Sequence, residues 1–229
     1  MTKLSRLGVY RHLLRVGLVP LFHHDDPDVA WEVLRATAGG GCSVLEFTHR
    51  GDFAHEVFAD LERRRQRELP ELVLGVGSVV DAGTAGLYMN LGAAFVVSPT
   101  FDPEVARVCN RRKVAYLPGC MTPTEIARAE EAGCEIVKLF PADAAGGPAF
   151  AAALRGPSPQ TRLLPTGGIE PTEASVRPWL EAGAAALGMG SQLISRELVS
   201  THDWEGVTER VREAMALVDS YRPADGAAD

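Results

Sequence analysis

A lysine stands in the middle of an otherwise apolar run, Ile136-Val137-Lys138-Leu139-Phe140. Burying its ammonium ion without a partner is costly, so such a position depresses the lysine pKa. The deprotonated amine is a nucleophile toward carbonyls, which is the chemistry of a Schiff-base lysine. The other reading is a structural lysine that reaches the strand end or pairs with a carboxylate. A second run, Val44-Leu45-Glu46-Phe47-Thr48-His49-Arg50, alternates so that Glu46, Thr48 and Arg50 share one face. Facing the same interior as Lys138, Glu46 would move protons as a general acid and base. Arg50 at the strand end would hold a substrate carboxylate in a two-pronged hydrogen bond. A mutual ion pair of Glu46 with Arg50 is the structural alternative.

Glycines mark a third kind of site. Pro165-Thr166-Gly167-Gly168-Ile169 and Gly188-Met189-Gly190-Ser191 each follow an apolar run. Amide N–H groups freed by glycine and followed by a helix start would cradle an anion such as phosphate, with Ser191 adding a hydroxyl donor. A similar segment, Gly75-Val76-Gly77-Ser78, sets Ser78 beside the same mouth. His23-His24-Asp25-Asp26 has metal-compatible side chains, but alternation lets at most two converge, and Pro27 points instead to a polar loop that opens a helix. Neither a metal nor an organic cofactor is expected. The Glu62-Arg63-Arg64-Arg65-Gln66-Arg67 run reads as a solvated helix face.

These groups need a frame that gathers them at one end. Eight short apolar runs recur along the chain: Leu18 to Phe22, Val44 to Thr48, Leu72 to Val76, Ala94 to Val97, Val114 to Leu117, Ile136 to Phe140, Arg162 to Pro165 and Ala185 to Gly188. Helical spacing fills the gaps, as in Val29, Val33 and Ala36, and several helices close on glycine before the next strand. The closing phrase repeats as NLGAAFVVSP, EEAGCEIVKLFP and LEAGAAALGMG, one supersecondary unit used several times. The pattern predicts an α/β fold, a (β/α)8 TIM barrel with an N-terminal helix over 5–16 and an extra C-terminal helix from Trp204 to Tyr221. An open doubly wound sheet is the runner-up. Residues 1–222 are expected to form one domain, with 223–229 a disordered tail.

The 229 residues carry a net charge of -7 with 46% hydrophobic content. No basic field exists for nucleic acid or an anionic membrane surface, and no run approaches the roughly 18 apolar residues of a membrane span. Four scattered cysteines without a CxxC pair, and no apolar leader core, point to the cytoplasm.

Taken together, VLEFTHR (44–50), GVGSV (75–79), VVSP (96–99), YLPGCMTPTEI (116–126), VKLFPA (137–142) and LPTGGI (164–169) resemble the bacterial 2-keto-3-deoxy-6-phosphogluconate (KDPG) and 4-hydroxy-2-oxoglutarate (KHG) aldolase family, over about Leu18 to Leu193. The resemblance implies a trimeric, metal-independent (β/α)8 barrel that cleaves a phosphorylated keto acid through a lysine imine. Lys138 then matches the imine lysine, Glu46 the acid–base carboxylate and Arg50 the arginine on the pyruvate carboxylate. Ser78 stands where threonine is common. Pro99, Phe140 and Thr166 fall on pocket positions, and Gly167, Gly168 and Ser191 on the phosphate site, with Gly190 beside it. LVPLFHHDD lacks the basic residue often found after the first strand, and the helix from Trp204 extends beyond shorter members. A phosphogalactonate-derived substrate, another phosphate-binding barrel enzyme such as an isomerase, and a sugar-acid binder without catalysis are the rival readings.

Overall fold

The computed structural model describes residues 4–222; the expectation for 223–229 lies outside them. Helix α1 (Arg6–Val16) precedes a regular alternation: β1 (Leu18–Phe22), α2 (Pro27–Gly39), β2 (Val44–Thr48), α3 (Ala54–Glu68), β3 (Val73–Gly77), α4 (Ala82–Leu91), β4 (Phe95–Val97) and α5 (Pro103–Arg112). The alternation continues with β5 (Ala115–Leu117), β6 (Gly119–Cys120), α6 (Pro123–Glu131), β7 (Val137–Leu139), α7 (Gly147–Arg155), β8 (Leu163–Pro165), α8 (Glu173–Glu181) and β9 (Leu187–Met189). A short α9 (Arg196–Ser200) and a long α10 (Trp204–Tyr221) complete the described chain.

Local chemistry fixes the helix starts. Asp26 and Asp102 accept backbone N–H bonds at the N-caps of α2 and α5, each with proline just inside. Thr122 and Glu125 form a reciprocal capping box at α6. Gly17 and Gly92 close α1 and α4 in left-handed conformations.

All strand pairs are parallel and form two arcs, β5-β4-β3-β2-β1-β9 and β6-β7-β8. The arcs meet twice. Pro118 separates β5 from β6, and its carbonyl accepts from Lys138 N at 2.9 Å. On the other side Thr166 bridges Gly188, and Ala185 N reaches Leu163 O at 2.8 Å. The sheet therefore closes into a (β/α)8 barrel, with β5 and β6 two halves of one stave, and the open-sheet alternative is set aside. Because β6 is offset past Pro118, Tyr116 in β5 lacks a neighbouring strand for part of its backbone. The buried Tyr10 hydroxyl of α1 fills that gap, accepting from Tyr116 N and donating to its carbonyl.

The sequence reading differs from this structure in a few places. β3, β4, β5, β7 and β8 start one residue later than expected and β9 two residues later, and β6 was not anticipated. α8 and α9 begin at Glu173 and Arg196, several residues beyond the glycine loops, so neither loop runs directly into a helix. Glu62 is not solvated: it is buried, paired with Arg65 at 2.7 Å and with Gln66 at 2.8 Å, while Arg65 also bonds the Leu72 carbonyl and ties α3 to the strand base. No described helix is long and apolar enough to cross a membrane.

Candidate active site

On β2 the Phe47 ring meets Phe58 of α3 at 6.2 Å and Phe22 edge-on at 5.8 Å, so its side points to the surrounding helices. The alternate residues therefore point inward, and Glu46 is 1% exposed. Room for its carboxylate comes from Gly77 on the neighbouring strand, where a Cβ would stand 1.7 Å from Glu46 Oε1. That oxygen is buried without a hydrogen-bond partner. Burial pushes the Glu46 carboxyl above its ordinary range, opposed by the charge of Lys138 and then of Arg50.

Lys138 lies inward on β7 between the buried Val137 and Leu139 and is 6% exposed. Its register neighbours are Gly119 and Leu164. Gly119 is obligatory, since a Cβ there would come within 2.0 Å of the Pro99 carbonyl oxygen. The Lys138 ammonium sits 4.9 Å from the centroid of the half-buried Phe140 ring. Among the described residues neither Lys138 nor Glu46 nor Arg50 forms an ion pair. The structural alternatives for these three residues, a paired lysine and a Glu46–Arg50 bridge, are thus not what the fold contains.

Other expected residues gather at the same C-terminal end. Arg50 is exposed just beyond β2, and Ser78, half-buried, follows β3 with φ of +60°. A serine in that left-handed region stores roughly 1–3 kcal/mol of strain, which turns the backbone at the mouth. Pro99, two residues past β4, is half-exposed, and Thr166 is buried with its hydroxyl lying over Gly188. Gly167 and Gly168 have φ of +99° and +80°. Gly188 lies within β9 rather than in the loop, whereas Gly190 opens a turn in which its carbonyl accepts from Leu193 N and Ile194 N at 2.9 and 3.0 Å. Ser191 is exposed on that turn.

The His23 to Asp26 segment is otherwise engaged. His23 bonds Asp25 at 2.9 Å and the Thr48 carbonyl at 3.1 Å, and Asp26 caps α2. Among the described residues no group of three or more His, Cys, Asp or Glu is arranged to hold a metal ion. Two features escaped the sequence reading. His49 Nδ1 meets the Tyr88 hydroxyl at 2.9 Å, tying the end of β2 to α4. Asp143, in the turn after β7, lays its carboxylate over Gly168. Neither pair has a spacing that marks it in the linear chain.

A closed parallel barrel with an inward lysine and an inward carboxylate is an architecture that can support amine and proton-transfer chemistry on carbonyl substrates. A family model for KDPG and KHG aldolase matches residues 9–210. The 2-dehydro-3-deoxy-phosphogluconate aldolase of Pseudomonas aeruginosa is 35% identical over 187 residues, 82% of each chain. The KHG/KDPG aldolase of Escherichia coli is 30% identical over 198 residues, covering 86% of this chain and 90% of its own. Among solved structures, the KDPG aldolase of Legionella pneumophila, with pyruvate captured at low pH as a covalent carbinolamine intermediate, superposes with a TM-score of 0.82 at 26% identity over 93% of this chain and 99% of its own. The chain belongs to the KDPG and KHG aldolase family, and is an aldolase, a carbon–carbon lyase.

Proposed function

We propose that this aldolase cleaves 2-keto-3-deoxy-6-phosphogluconate, or a close 2-keto-3-deoxy sugar acid, to pyruvate and an aldehyde such as glyceraldehyde 3-phosphate, through a Schiff base on Lys138. One observation carries the reading: a lysine buried inside the barrel without an ion-pair partner, facing a buried carboxylate with a free oxygen.

The neutral Lys138 amine adds to the C2 ketone, and the carbinolamine loses water to give an imine. Glu46 supplies and removes the protons of these steps, and burial, which raises its pKa, favours the protonated form that it needs as an acid. With the imine as electron sink, Glu46 takes the C4 hydroxyl proton. The C3–C4 bond then breaks, the aldehyde leaves, and the remaining enamine is protonated at C3. Water hydrolyses the pyruvate imine and frees Lys138. Arg50 holds the pyruvate carboxylate with help from Ser78. Pro99, Phe140 and Thr166 line the pocket, and Gly167, Gly168, Gly190 and Ser191 receive the phosphate. No metal is needed, because the imine itself withdraws the electrons. By resemblance the working unit is a homotrimer, and four free cysteines suit a cytoplasmic home.

Borohydride reduction in the presence of pyruvate tests this directly. A covalent adduct mapped to Lys138, absent in Lys138→Ala, is the expected result, with aldol cleavage falling at least about a thousandfold in that variant. Folded protein that gains no adduct sinks the proposal. Rates with the gluconate, galactonate and oxoglutarate substrates then decide among the family's members.

A further inference from the structure

The helix-facing row of β2 ends in a polar residue. Leu45 and Phe47 are fully buried in that row, and His49 follows them on the same face, half-buried. Its ring meets the Tyr88 ring of α4 edge-on at 5.3 Å, and its Nδ1 lies 2.9 Å from the Tyr88 hydroxyl. Tyr88 is itself fully buried, with its ring edge-on to Phe58 of α3 at 5.0 Å. Among the described residues His49 is the hydrogen-bond partner of that hydroxyl, and an enclosed phenol needs one.

This bond falls one residue before Arg50. His49 N donates to the Gly77 carbonyl at 2.8 Å, which carries the pairing of β2 with β3 one step past the strand. Thr48 is tied to β1, its hydroxyl donating to the Phe22 carbonyl and its carbonyl accepting from His23 Nδ1, both at 3.1 Å. Beyond Arg50 the chain turns through Gly51 and Phe53, at φ of +78° and +60°. Arg50 therefore stands where the barrel wall ends and a turn begins, with the His49–Tyr88 bond as the side-chain anchor just behind it.

We propose that His49 and Tyr88 are a positioning pair for Arg50: by locking the end of β2 to α4, they set the direction from which the Arg50 guanidinium meets the substrate carboxylate. The inference rests on the aldolase reading of the same site and deepens it. A two-pronged hydrogen bond between guanidinium and carboxylate is narrow in direction, and a displacement of about 1 Å at the base of the side chain is enough to spoil it. Arg50 would hold the carboxylate before, during and after carbon–carbon cleavage. Misdirecting it thus weakens binding throughout, which raises KM and leaves kcat in place.

Tyr88→Phe removes the hydroxyl and keeps the ring packing. It should raise KM for 2-keto-3-deoxy-6-phosphogluconate about tenfold, with kcat within about twofold of the parent. His49→Leu should do the same, whereas His49→Asn, whose side-chain oxygen stands where Nδ1 stood, should keep KM within about twofold. A merely structural role would make Asn as damaging as Leu, since both lose the ring. On an Arg50→Ala background Tyr88→Phe should change KM no further. A level KM in Tyr88→Phe, or a rise that persists without Arg50, overturns the assignment. Should His49→Leu fold poorly, Tyr88→Phe carries the test. The NMR order parameter of the Arg50 amide in substrate-free Tyr88→Phe should fall towards the flexible range below about 0.6, and pyruvate trapping at Lys138 is run on the parent. If trapping fails while the order parameter falls, the catalytic reading is wrong and the pair keeps its anchoring role. If trapping fails and the order parameter stays level, both are overturned. If trapping succeeds and neither KM nor the order parameter moves, the pair alone is dismissed.

Discussion

Glu46 is a carboxylate held where its charged form is disfavoured, and the sign of that penalty can be followed with pH. An ordinary glutamate titrates near 4.5, and burial raises the folded value. The folded state therefore loses stability as pH climbs above 4.5, and the loss is complete once pH exceeds the raised value. Glu46→Gln should melt higher than the parent at pH 7.5, by about 2–4 °C for each kcal/mol relieved, and the gap should close as both are acidified below 4.5. Aldol cleavage should fall at least about a hundredfold in the same variant. Scanning calorimetry across pH, with activity measured in parallel, reads both. At this scale much of the site was legible. A charge inside an apolar run announces itself, and alternation along VLEFTHR separates Glu46 from Phe47. The Asp143 contact was not legible, because it depends on a glycine 25 positions away in sequence that two adjacent loops bring together.

Two glycines on the strands separate catalysis from folding. At Gly77 an added methyl meets the far end of the Glu46 side chain, which can rotate aside. At Gly119 it meets the main-chain oxygen of Pro99, which cannot move without shifting a strand. Gly77→Ala should thus keep most of its melting temperature but lose about tenfold or more in kcat as the carboxylate is displaced. Gly119→Ala should lose about 1–3 kcal/mol of stability in chemical denaturation. The elements themselves were readable where chemistry is local: Pro27 after the His23 to Asp26 run pointed to the start of α2. The break at Pro118 was not readable. Val114 to Leu117 looks like one complete strand, and only closure of the ring reveals that its stave continues as β6 after a residue that cannot donate to a ladder.

Across the whole molecule, α10 packs one face against the barrel. Val207, Val211, Ala214 and Val218 are fully enclosed on it, and Met215 packs at its edge. Val211 packs over Gly40, just past the end of α2, and Thr208 donates to the Ala36 carbonyl at 3.2 Å. Arg222, which caps α10, donates to the carbonyls of Leu14 and Arg15 and so fastens the end of α1. The helix therefore clamps the barrel wall rather than hanging beside it. Each buried valine contributes roughly 1.5–3 kcal/mol, so removing residues 204–229 should take away much of a domain's ordinary margin of about 5–15 kcal/mol. The truncated chain is expected to bind ANS and to lose its cooperative melt.

The two-arc construction of the barrel has a mechanical consequence. Lys138 rides on the three-strand arc, whereas Glu46, Arg50 and Ser78 ride on the six-strand arc. In the proposed mechanism the nucleophile and its proton-transfer partner are thus mounted on opposite jaws, joined at one seam by the proline-interrupted stave and at the other by the Thr166–Gly188 bridge and the Ala185 N to Leu163 carbonyl bond. Tyr10→Phe, which strips the edge of β5 beside the interrupted stave of its hydrogen bonds, should widen the spread of lysine-to-carboxylate separations with little loss of secondary structure. Faster amide exchange at Tyr116 than along the β2–β3 ladder, together with a fall in kcat, would register that play in the jaws.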